Sequence, residues 1–94
     1  MNSELIISNE AKNDCSTIYL YFNKQMHSWI AYGYSAYSLR LITKKKFIDS
    51  IRGFSVTMQM PYVVVNKDLL KRLHSEYAVT VDSQSEHAVI TISE

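Results

Sequence analysis

At 94 residues, with 47% hydrophobic and 20% charged residues and only two glycines and one proline, the chain has the composition of one globular domain rather than of a disordered polymer. A single cysteine, Cys15, excludes an intrachain disulfide and any zinc site built from several cysteines. The net charge of +1 conceals a polarity: residues 1–39 carry −1, residues 40–72 carry +6 and residues 73–94 carry −4, a separation that bears on partner choice and self-association.

Ser8 to Ser16 is polar and rich in turn-forming residues, so residues 1–16 read as an N-terminal arm or loop, with Leu5-Ile6-Ile7 as a candidate short strand. This start has neither a basic segment nor a long apolar run, which argues against an ordinary signal peptide. No stretch approaches the roughly 18 apolar residues of a membrane span. The expectation is a soluble cytoplasmic protein, with residues 17–94 as a single α+β domain.

Thr17 to Phe22 alternates as a strand does, with Ile18, Leu20 and Phe22 on one side and Tyr19 and Tyr21 on the other. A polar link, Asn23 to His27, leads to a second strand, Trp29 to Tyr34, so the two form a hairpin. Gly33 inside this strand suggests a bulge or a close backbone approach. Ser35 to Ile42 reads either as an extension of the strand or as a helix. Thr43 then reads as the N-cap of a short helix from Lys44 to about Arg52, with Phe47, Ile48 and Ile51 as its apolar stripe and Gly53 as its stop. Three lysines in its first turn would oppose the helix dipole.

Phe54 to Val65 reads as a strand region interrupted by Pro61, with Val56, Met58 and Met60 on one face. Asn66 caps a helix from Lys67 to Tyr77 whose Leu69, Leu70, Leu73 and Tyr77 face inward. Val79 and Val81, a polar turn from Asp82 to Glu86, and Ala88, Ile90 and Ile92 make a terminal hairpin. The expected fold is α+β: a small antiparallel-rich sheet, order β-β-α-β-α-β-β, with two helices packed on one face.

Catalytic and cofactor signatures do not emerge. His27, His74 and His87 are far apart and form no H-x-x-x-H pair, so no metal is expected. Cys15 lacks the basic neighbours that activate a thiol. No G-x-S-x-G, G-x-G-x-x-G or P-loop is present, so neither an enzyme activity, a cofactor nor a small-molecule substrate is inferred. Arg52-Gly53-Phe54 opens like an RNA-recognition motif, but Val56 and Gln59 stand where the stacking aromatics belong.

What remains is a surplus of strand aromatics beside a basic segment. Tyr19, Tyr21, Trp29 and Tyr37 on one outer face would be residue types favoured in interface hot spots. The leading expectation is a non-catalytic interaction domain that binds a protein partner, or itself as a homodimer, through this aromatic sheet face. Sheet-edge pairing near Pro61 is a second route to self-association. The alternative is a nucleic-acid-binding module in which Arg40, Lys44, Lys45, Lys46 and Arg52 contact phosphates and the tyrosines stack bases.

Overall fold

The computed structural model of the chain describes residues 3–13, 16–45, 48, 50–82 and 87–91. In chain order they form α1 (Ser3–Ala11), β1 (Thr17–Asn23), β2 (Ser28–Tyr32), α2 (Gly33–Lys45), β3 (Ile51–Ser55), β4 (Met60–Val65), α3 (Lys67–Glu76), β5 (Ala78–Asp82) and β6 (His87–Thr91). The six strands make one sheet, order β3-β4-β2-β1-β6-β5, in which every neighbouring pair is antiparallel. The class is the expected α+β, and the expected succession of strands and helices holds, with α1 ahead of it and a β3–β4 hairpin over 51–65 where one interrupted strand region was expected over 54–65.

The β1–β2 hairpin sits at the centre. Its turn is set by Asn23, whose side-chain oxygen accepts from the backbone N–H groups of Gln25 and Met26 at 3.0 and 3.1 Å. Residues opposite one another in register share a face. Leu20 faces Ala88 and Ile18 faces Ile90 across β1–β6, while Ala31 faces Val63 and Trp29 faces Val65 across β2–β4. These side chains meet Ala36 and Leu39 of α2 and Leu69 and Leu73 of α3 in the main core. Two helices, α2 and α3, therefore pack on one face of the sheet as expected, although the first is 33–45 and not the Lys44-to-Arg52 segment read from the sequence.

Helix α3 starts as its sequence dictates. The Asn66 side chain accepts from the Leu69 N–H at 2.9 Å, and Asp68 lies in the positive first turn.

Four local expectations change. The candidate strand at Leu5–Ile7 and the loop after it are instead the helix α1. Its inward stripe is Ile6, Asn9 and Glu10, with Asn13 continuing it just beyond the helix end. That i, i+3, i+4, i+7 spacing is helical, but mostly polar side chains occupy it, so hydropathy alone concealed it.

The ambiguous 35–42 segment is helix, and α2 runs on to Lys45. Thr43 is thus mid-helix and not a cap; its hydroxyl donates back to the Arg40 carbonyl at 3.1 Å. Lys44 and Lys45 occupy the last turn of α2, where they complement the dipole they were expected to oppose. Third, Ile51 and Arg52 belong to β3, and Val56 and Met58 lie in the β3–β4 turn rather than on a strand face. Of the turn expected from Asp82 to Glu86, Asp82 is the last residue of β5, and residues 83–86 lie outside the described residues, as do Cys15, Lys46, Phe47 and Ile92.

Gly33 is not a strand bulge but the joint between β2 and α2. Its φ is +57°, the left-handed region in which a side chain is strained, and an added Cβ would meet Met60 Sδ at 3.0 Å and Glu10 Cγ at 3.2 Å.

Candidate functional site

The four aromatic residues expected on one outer face are dispersed by the fold. Tyr21 and Tyr32 lie on the sheet face opposite the main core, but that face is covered. Ile6 of α1 is fully buried against Tyr21, Ile30 and Tyr32, an anchor worth roughly 1.5–3 kcal/mol of hydrophobic burial. The rings form a row across four strands. Tyr62 and Tyr32 have centroids 6.4 Å apart, Tyr32 and Tyr21 6.2 Å, and Tyr21 meets His87 edge-on at 5.1 Å. The Tyr21 hydroxyl accepts from Asn9 Nδ2 at 3.0 Å. Burial pushes its pKa up to about 12, with the Asn9 hydrogen bond opposing the rise. Burial likewise raises Tyr32, helped by the neighbouring Tyr62. These rings are occupied inside the protein, and Tyr19 is half-buried at the margin of the same cluster.

Trp29 is on the other side of the sheet. Its ring packs edge-on to Phe22 at 5.2 Å and against the main core. Tyr37 is on α2 and points to solvent. The error in the expected face has two geometric causes. The chain leaves the sheet at Gly33, and antiparallel register places Phe22, not Tyr21, opposite Trp29.

The cations divide similarly. Arg40, Lys44 and Lys45 are exposed on α2, Arg52 is exposed on the edge strand β3, and Lys46 lies outside the described residues.

What the fold brings together instead is an apolar cleft of about 540 Å³ between α1, α2 and the start of β4. It is lined by Ile7, Glu10, Ala11, Gly33, Tyr34, Tyr37, Met60 and Pro61. Tyr34, Tyr37 and Leu41 are each more than half exposed. Their i, i+3, i+7 spacing lines them along one side of α2, where Arg40, Lys44 and Lys45 flank them. The spacing is visible in the chain, but it has meaning only once 33–45 is known to be helix.

The cleft floor is held by a polar clasp. Glu10, 2% exposed, accepts from the Ser35 N–H at 2.8 Å and the Ser35 hydroxyl at 2.7 Å. Ser35 Oγ in turn accepts from the Tyr19 N–H at 2.9 Å and Asn13 Nδ2 at 3.1 Å. The Glu10 carboxylate thus serves the otherwise unpaired N–H groups at the start of α2 from outside that helix. Desolvation raises its pKa above the ordinary carboxylate value, against the lowering effect of these hydrogen bonds. Among the described residues no buried side-chain N or O lacks a partner, and no group of three or more His, Cys, Asp or Glu is placed to hold a metal.

No helix among the described residues is long and apolar enough to cross a membrane. In comparison with known proteins, the chain matches no family model, no curated protein and no solved structure.

Proposed function

We propose that the protein is a non-catalytic interaction domain, acting in the cytoplasm, that docks a segment of a protein partner in the α1–α2 cleft. One observation carries this reading: Ile7, Tyr34 and Tyr37 remain exposed in the lining of a cleft of about 540 Å³, and exposed Leu41 continues the α2 row one turn beyond them. Exposed aromatic clusters beside a groove mark interaction sites, and Tyr is enriched among their anchors. The volume is also in the small-ligand range. However, the cleft's one carboxylate, Glu10, is turned away into the Ser35 clasp, which leaves nothing to orient a polar metabolite. An apolar side chain fits better. The flanking Arg40, Lys44 and Lys45 favour a segment that carries acidic residues beside its apolar anchor.

A random peptide display selection against the intact protein tests this. It should enrich apolar-anchored acidic peptides whose binding falls at least tenfold in a Tyr34→Ser/Tyr37→Ser variant, about 1.4 kcal/mol. Enriched peptides that bind this variant as well as the parent, or no enrichment, would remove the reading.

The nucleic-acid alternative retains one favourable observation, that Tyr37 stands beside Arg40 and Lys44 on the exposed side of α2. With Tyr21 and Tyr32 buried, fewer rings are open to stack on bases. Salt-sensitive binding of single-stranded RNA, lost in Lys44→Glu/Lys45→Glu, would put it first.

A further inference from the structure

The edge strand β3 has an open side among the described residues, since it pairs only with β4 and ends the sheet. Antiparallel pairs alternate between those that exchange two backbone hydrogen bonds and those that exchange none. Pro61 has no N–H, so Phe54 and Pro61, which face one another, form a pair without hydrogen bonds. Two residues along, Arg52 and Val63 must be the same kind of pair. The backbone N–H and C=O groups of Arg52 and Phe54 therefore point away from β4, toward the open edge.

Such edges are usually blunted by lysines, prolines, bulges or a covering segment. Here Ile51 is 65% exposed, Phe54 61% and Val56, in the adjoining turn, 83%. Arg52 is the strand's one charge.

We infer that β3 pairs with β3 of a second copy of this chain, antiparallel and centred on Gly53, joining two six-stranded sheets into one. The strand is self-complementary in this register. Gly53 faces the partner's Gly53 as a pair without hydrogen bonds, the close type in which Cα atoms approach to about 4.5 Å. Arg52 then faces the partner's Phe54 and Phe54 faces the partner's Arg52. Each of these two pairs exchanges both backbone bonds, so all four outward groups of each strand are satisfied.

Both side chains of each pair lie on the same face, where the guanidinium can cover the exposed ring. The strand's single charge thus lands on an aromatic surface rather than on its own copy. A two-fold axis through Gly53 closes the assembly at a dimer. Pro61, which faces Phe54 in register, also lines the α1–α2 cleft, but no β3 residue lines it, so sedimentation and peptide selection test the two readings separately.

Sedimentation of the full chain over a wide concentration range tests the inference. The parent should show a reversible monomer–dimer equilibrium. Phe54→Lys sets the introduced lysine against the partner's Arg52 and should abolish the dimer. Phe54→Glu sets a carboxylate against the same arginine and should keep it. Far-UV circular dichroism and thermal melting establish that each variant is folded; the substituted side chain is largely exposed. A parent that stays monomeric, an assembly that grows without limit, or equal loss of the dimer in both variants would overturn the proposal.

Discussion

Glu10 is a carboxyl group in a site from which water is nearly excluded, facing the start of a helix. Two effects compete there. Hydrogen bonds from Ser35 and Asn13 favour the anion, while desolvation favours the acid and prevails, so the pKa is raised above 4.5. The folded protein accordingly holds the proton more tightly than the unfolded chain. The contribution of Glu10 to stability is present in full below about pH 4.5 and is lost as pH rises through the raised value. Glu10→Gln keeps an oxygen to accept from Ser35 and removes the charge. Its melting temperature relative to the parent should therefore increase as pH is raised from 4.5 to neutrality. A difference that is flat with pH would show that the carboxyl is not perturbed by burial.

At the scale of elements, the contrast is between α3 and α1. Helix α3 has a side-chain cap, a leucine stripe and a short connection to β4, and all three are written in consecutive residues. Replacing Asn66 by Ala removes the hydrogen bond to the Leu69 N–H and should cost ~1 kcal/mol, read from chemical denaturation. An unchanged midpoint would mean that water or a neighbour replaces the cap. Helix α1 has one buried isoleucine and a polar inward side, with Leu5 and Ile7 directed outward. Its helicity is stabilised by partners that are distant in sequence: Tyr21, Ser35 and the Ile30–Tyr32 surface. No local pattern could show this, because the apolar surface that Ile6 needs does not exist until β1 and β2 have paired.

For the whole molecule, one core is shared by α2, α3 and strands β1, β2, β4 and β6, so these elements should unfold together. Helix α1 covers the opposite face through a single fully buried apolar side chain and the Glu10–Ser35 clasp. Native-state hydrogen exchange should therefore find α1 amides exchanging through a local opening. The central β1 amides should exchange only through global unfolding. Equal protection of α1 and β1 would place the helix inside the cooperative unit.

By itself the sequence determined the α+β class, the central hairpin, the capped helix α3 and the terminal strands. Each is specified by residues two to four apart, where period-two alternation or a cap acts through nearest neighbours. The segregation of cations and aromatics was equally plain. Which of them share a surface was not. Tyr21 and Trp29 were separated by register, Tyr37 was moved onto α2 when the chain left the sheet at Gly33, and Thr43 fell inside that helix rather than at its start. The α1–α2 cleft and the open β3 edge were decided by tertiary structure alone. Both consist of groups brought together, or left without a neighbour, by strands and helices far apart in the chain, and register and burial are properties of the assembled sheet.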